Sequence, residues 1–123
     1  MKANELTDGI YVYFNCFDGS KIIAKVTGFK DGVVYGVSED GTHWRQISQI
    51  EPIPLTAEIL EKNGFTKHAY GFSFQYLKLN GNLRNDDTVY FTITISGKDI
   101  TIDYVHQLQH ALRLCGIEKE IKL

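Results

Sequence analysis

Ile10-Tyr11-Val12-Tyr13-Phe14-Asn15-Cys16-Phe17-Asp18-Gly19 is the stretch on which the reading of the fold turns. Ile10, Val12, Phe14 and Cys16 alternate with Tyr11, Tyr13, Asn15 and Phe17, a period of two that gives a strand one face of each set. Asp18-Gly19 then supplies a tight hairpin turn. Further strands follow over 21–26, 33–37 and 43–47, separated by Lys30-Asp31-Gly32 and Asp40-Gly41. Turn signals roughly every eight to ten residues predict a small barrel or a strongly bent antiparallel sheet.

In size and rhythm this half resembles an SH3-like barrel, with 50–53 as a short closing strand. The likeness is one of strand spacing and implies no function. Pro52 and Pro54 bracket the expected boundary, dividing the chain into an SH3-like β subdomain over 1–52 and an α+β subdomain over 53–123, together one compact unit. Thr56 is placed to cap a short helix over 57–62, which Asn63-Gly64 stops. Strand signals resume in Tyr70, Phe72, Phe74 and Tyr76, then in Val89, Phe91, Ile93 and Ile95, then over 100–102. Turns are expected at Asn80-Gly81-Asn82, at Asn85-Asp86-Asp87 and at Gly97-Lys98-Asp99. Asp103 is read as the cap of the longest helix, over about 104–115, with Gly116 as its stop. Val105, Leu108, Leu112 and Cys115 form its apolar stripe. Residues 117–123 are left as an edge strand or a tail. The fold class is α+β, mostly antiparallel β, with one C-terminal amphipathic helix.

Composition narrows the function. Thirteen basic against fifteen acidic residues give a net charge of −2, whereas duplex binding is dominated by phosphate neutralisation and calls for a basic excess. Nucleic acid is therefore a weak candidate partner. The N-terminus carries no apolar signal region, and no stretch is long enough to span a bilayer, so no membrane role and a cytoplasmic location are expected. Cys16 and Cys115 form no CxxC unit, and two buried thiols are expected in preference to a disulfide.

Two runs carry a resemblance. Ile53-Pro54-Leu55-Thr56-Ala57-Glu58-Ile59-Leu60-Glu61-Lys62-Asn63-Gly64-Phe65 and Tyr104-Val105-His106-Gln107-Leu108-Gln109-His110 resemble a group of short proteins of gut-type bacteria, their phages and mobile elements. The likeness covers about a quarter of the chain. It implies a mobile-element or phage-associated accessory protein, and no activity, cofactor or catalytic residue.

Several residues offer candidate sites, each with a structural role as its alternative. His106 and His110, at i and i+4, project from one side of a helix, a spacing used by helical metal sites. At about 100° per residue they point away from the apolar stripe, toward solvent or a partner. Without a Glu in an HExxH arrangement the pair does not read as a metalloprotease site. With Gln107, Gln109 and Arg113 they form a candidate interface, through which a partner protein or a second copy is expected to bind. The Tyr70/Phe72/Phe74/Tyr76 ladder reads as core, with a base-stacking platform as the alternative. Trp44 is expected to complete a small core; the alternative is a docking surface shared with Tyr11, Tyr13 and Tyr35. Asp86-Asp87, Cys16 and Cys115 lack the neighbours that catalysis needs, and no phosphate loop or nucleophile elbow occurs. The expected function is a non-catalytic protein-interaction module requiring no cofactor. Single-stranded nucleic-acid binding and metal binding through His106 and His110 are the alternatives.

Overall fold

The computed structural model describes residues 1–86 and 88–123. The protein is α+β with mostly antiparallel strands, in two units, Met1–Ile53 and Pro54–Leu123. Each unit has its own five-stranded sheet.

In the first unit a 3₁₀ turn, Ala3–Glu5, precedes β1 (Tyr11–Asn15), β2 (Lys21–Lys30), β3 (Val33–Ser38) and β4 (Gly41–Gln46). A second 3₁₀ turn, Ile47–Gln49, leads into β5 (Ile50–Pro52). The strand order is β4-β3-β2-β1-β5, antiparallel throughout. The alternation in β1 holds: Ile10, Val12 and Phe14 are fully buried and pack with Ala24, Val26, Val34 and Ile50. The register between β2 and β3 shifts between Val26 and Gly28, the kind of bulge that bends a strand.

The second unit opens with α1 (Ala57–Lys62), where Thr56 Oγ1 accepts a hydrogen bond from Ile59 N at 3.3 Å. Gly64 ends the helix at φ 82°, the left-handed conformation that favours glycine at a helix stop. There follow β6 (Thr66–His68), β7 (Gly71–Phe74), β8 (Leu77–Leu83), β9 (Val89–Ile95) and β10 (Lys98–Ile102), paired in chain order as a meander. The chain closes with α2 (Val105–Leu114). Phe72, Leu77, Leu79, Phe91, Ile93 and Ile102 are buried, as are Val105, Leu108 and Leu112 of α2.

Several expectations are corrected. The aromatic ladder is not one strand, because the chain turns at Gln75-Tyr76 and Gln75 takes a positive φ of 53°. Phe72 is buried, while Tyr70 and Tyr76 are exposed. Asn80-Gly81-Asn82 is strand, not turn. The close backbone approach here is at Gly71 across from it, where an added Cβ would fall 2.8 Å from Gly81 N. The N-cap of α2 is Tyr104, not Asp103. Gln107 Oε1 accepts hydrogen bonds from Asp103 N at 2.7 Å and Tyr104 N at 3.1 Å, while the Asp103 carboxylate pairs with Arg84. Residues 117–123 form no strand, yet Ile117 and Ile121 are buried. Both cysteines are free thiols, half-buried rather than buried. Asp87 lies outside the described residues, and with it the second member of the Asp86-Asp87 pair.

Candidate functional site

The sequence-predicted interface on α2 is not one exposed surface. His106 is 2% exposed and Gln109 8% exposed; Gln107 and His110 are half-buried and only Arg113 is open. The helical angles are as expected, but the buried arc is much wider than the apolar stripe. Val105, His106, Leu108, Gln109, Ala111 and Leu112 are all buried, which at 100° per residue covers more than half of the circumference. The His106 ring stacks on Tyr104 at 5.8 Å between centroids, nearly parallel, and meets His110 edge-on at 6.1 Å. Among the described residues no three His, Cys, Asp or Glu side chains are grouped to hold a metal ion.

Two Ser–His contacts occur elsewhere, Ser38 Oγ to His43 Nε2 at 2.8 Å and Ser73 Oγ to His68 Nε2 at 2.7 Å. Each joins neighbouring strands of a hairpin, and Ser38 Oγ also accepts from Asp40 N. These are cross-strand latches.

Of the strongly exposed aromatic side chains, Phe17 and Trp44 lie in the first unit and Tyr76 in the second, and strand parity sets the face of Trp44. Tyr35 is the register partner of Trp44, and Val34 of Arg45. Because Val34 is buried, Arg45 shares the inner side, and its guanidinium lies over the Phe14 ring at 5.7 Å. Trp44 is thereby turned outward and is 60% exposed. The expected interior Trp44 is thus corrected: the inner side of β4 carries Arg45, with its guanidinium over Phe14. Gly36 lies where an added Cβ would sit 2.9 Å from the Phe14 ring.

The same parity puts Tyr11, Tyr13, Ile23, Tyr35 and Val37 on the outer face with Trp44, through the pairs Tyr11↔Lys25, Tyr13↔Ile23 and Lys25↔Val37. Lys21 lies over the Tyr13 ring at 5.5 Å and Lys25 over the Tyr11 ring at 6.0 Å. The four aromatic residues grouped from the sequence therefore share one face, with Tyr11 and Tyr13 half-buried.

At one end of this sheet Asn15, Cys16, Phe17, Trp44, Arg45 and Gln49 line a cleft of about 270 Å³. Phe17, at the turn after β1, is fully exposed. The polar groups of the cleft are mostly committed to the fold. Arg45 Nε donates to Asn15 O at 2.8 Å, one terminal nitrogen donates to Trp44 O at 2.7 Å, and the other lies 3.7 Å from Cys16 Sγ. Gln49 Oε1 accepts from Gln46 N at 3.1 Å. Asn15 Nδ2 reaches Glu51 Oε1 at 3.4 Å, whereas Asn15 Oδ1 is buried with no hydrogen-bond partner among the described residues. The cleft thus offers two open rings and few free polar groups.

Sequence reasoning singled out Trp44 but not Phe17, Arg45, Asn15 or Gln49. The signal present for Phe17 is an aromatic residue immediately before an Asp-Gly turn, where no neighbouring strand covers it. Among the described residues, no helix is long and apolar enough to cross a membrane. Comparison with protein-family models, curated proteins and solved structures found no match to this chain.

Proposed function

We propose that this chain is a non-catalytic interaction module of the cytoplasm, an accessory protein of phage or mobile-element type, that docks an uncharged extended peptide in the Phe17–Trp44 cleft. The observation that carries the reading is that a fully exposed Phe17 and a 60% exposed Trp44 both line a cleft. A protruding Phe and an open indole gain far more from a partner's apolar side chain than from water. The strand order β4-β3-β2-β1-β5 and the 3₁₀ turn before β5 support reading the first unit as SH3-like, a scaffold on which aromatic surfaces dock peptides.

Charge favours a peptide over a nucleic acid. Among the described residues Arg45 is the one cation lining the cleft, and its nitrogens are held by Asn15 O, Trp44 O and the Cys16 thiol. Lys21 on the neighbouring face is paired with Glu51. A phosphate backbone would meet no free guanidinium.

The test uses the full chain and an array of capped, uncharged ten-residue peptides with and without Trp, Phe or Leu, beside labelled oligo-dT and oligo-rU at low salt. Trp44 is the chain's one tryptophan, so its fluorescence reports Trp-free peptides on the wild type and Phe17→Ala, and calorimetry reads the Trp peptides and Trp44→Ala. Peptides with a large apolar residue are expected to bind, and Phe17→Ala and Trp44→Ala each to weaken binding at least about tenfold, the usual mark of an aromatic anchor. Failure of every peptide, or binding indifferent to Phe17→Ala, overturns the reading. Oligonucleotide binding lost in Trp44→Ala transfers the site to single-stranded nucleic acid.

A further inference from the structure

The strand that carries Trp44 is a sheet edge. β4 is the outermost strand of the first sheet and pairs only with β3. In an antiparallel pair the backbone groups of alternate residues face the neighbouring strand, and those between face away. Ile47 N donates to Gly32 O at 3.1 Å. By the same alternation His43 and Arg45 bond toward β3, while Thr42, Trp44 and Gln46 present their N–H and C=O groups to the open side. Two of these outward groups are held by side chains, as that parity requires: Arg45 donates to Trp44 O, and Gln49 Oε1 accepts from Gln46 N. Thr42 N, Thr42 O and Trp44 N have no hydrogen bond among the described residues.

β4 holds no lysine, carboxylate or proline and no register shift toward β3, the features that commonly keep an exposed edge from pairing. Its one full charge, Arg45, is turned to the inner side over the Phe14 ring. Charge collects instead just beyond one end of the strand. Glu39 and Asp40 are both exposed at the hairpin tip, and neither carboxylate has a partner among the described residues.

We propose, resting on the Phe17–Trp44 cleft as a peptide site, that the peptide is held as an added antiparallel strand on β4, with an apolar residue opposite Trp44 and a Lys or Arg four residues later. In that direction the residue two after the apolar one lies opposite Thr42, and the residue four after it comes beside Asp40. The added strand supplies partners for Thr42 N, Thr42 O and Trp44 N, and its apolar side chain lies across the ladder from the indole. The stretch along the cleft stays uncharged because Arg45 is already committed. The cation falls just outside it, where Glu39 and Asp40 await one. A second copy of β4 answers this edge less well. Pairing the outward groups of two copies sets Asp40 opposite Trp44, Gln46 or Ser48, and none of these is a cation.

The probe is the capped peptide acetyl-Ser-Thr-Ser-Leu-Ser-Thr-Ser-Lys-Thr-Ser-amide, titrated into the full chain and read by Trp44 fluorescence. N-methylation at Leu, or at the Thr two residues after it, is expected to weaken binding at least about fivefold, the loss of one backbone hydrogen bond. N-methylation at the Ser between them, whose N–H faces away, is expected to leave binding unchanged. Thr42→Pro removes one outward N–H at an edge position that tolerates proline, and is expected to weaken binding as much with unchanged circular dichroism. Replacing the peptide's Lys by Gln is expected to cost about two- to fivefold at low salt in the wild type and nothing in Glu39→Gln/Asp40→Asn. If neither this peptide nor any of the uncharged array binds, the cleft reading falls and the strand pairing with it. If array peptides bind and respond to Phe17→Ala, the cleft stands, and the strand pairing is overturned by any of three results: no binding of this peptide, equal effects at all three N-methyl positions, or a Lys preference that survives Glu39→Gln/Asp40→Asn. A free chain that is dimeric by light scattering and monomeric as Thr42→Pro gives the edge to a second copy and overturns the proposal. Where Thr42→Pro does not fold, the N-methyl series decides.

Discussion

Asn63 shows how much one buried polar side chain can organise. It is 3% exposed, and its amide donates to Ile59 O at 2.7 Å and to Lys122 O at 2.8 Å while Oδ1 accepts from Lys122 N at 2.6 Å. The end of α1 is thereby tied to the C-terminal segment, whose Ile117 and Ile121 are buried. Asn63→Ala removes three hydrogen bonds and leaves their backbone partners short of one each. The expected loss is about 2–3 kcal/mol of unfolding free energy, read from urea denaturation. A loss below about 0.5 kcal/mol, the range of an ordinary surface change, would show that the tie is dispensable. Gly71 is the backbone counterpart. It sits at φ 146°, and an added Cβ would fall 2.1 Å from Leu79 O, a contact no side chain tolerates. Gly71→Ala is expected to cost more than about 2 kcal/mol by the same measurement, since both strain and overlap oppose it.

Among the elements, the two helices differ in how their starts are held. Thr56 caps α1 through its own hydroxyl, and Thr56→Ala is expected to cost about 1 kcal/mol in a thermal or urea melt. At α2 the bonding group is Gln107, three residues into the helix, reaching back to two backbone N–H groups. Asp103 was the natural choice from the sequence because Asp is a strong cap. Arg84, distant in sequence, competes for its carboxylate, and that competition is invisible along the chain. The same limit explains the other differences. Local signals such as the β1 alternation, Asp18-Gly19 and Thr56 through Gly64 were readable because each is decided within a few residues. The turn at Gln75-Tyr76 was not, since a non-glycine residue accepts a positive φ there. Nor was the burial of His106 and Gln109, which depends on how much of α2 is covered rather than on which residues are apolar. Trp44 was undecidable for a related reason: its face is set by the partner Tyr35 and by Arg45 filling the inner side. The outer-face set Tyr11, Tyr13, Tyr35 and Trp44 was legible as residue types, and strand register was needed to join them. Phe17 gave only a weak signal.

Across the whole molecule, three exposed carboxylates have partners that tie their ionisation to the fold. Glu51 lies below the ordinary carboxylate range chiefly because Lys21 hydrogen-bonds to it, with help from Asn15. Asp18 is lowered by the hydroxyl of Ser20 and then by its backbone N–H, and Asp86 likewise by Thr88. Each group has a lower pKa folded than unfolded. Its contribution is therefore complete above the ordinary carboxylate value of about 4 and is lost as pH falls through the folded value. All three groups are open to solvent, so each effect is small and screened by salt. The expected outcome is a urea midpoint that declines between roughly pH 5 and pH 3, less steeply at high salt. Replacing the three together, Asp18→Asn, Glu51→Gln and Asp86→Asn, is expected to flatten that decline while lowering the midpoint at neutral pH. A triple variant with the wild-type pH slope would place the acid sensitivity elsewhere. Arg84 works in the opposite sense. Its pKa is raised chiefly by its hydrogen bond to Asp103, so the guanidinium stays charged to strongly alkaline pH.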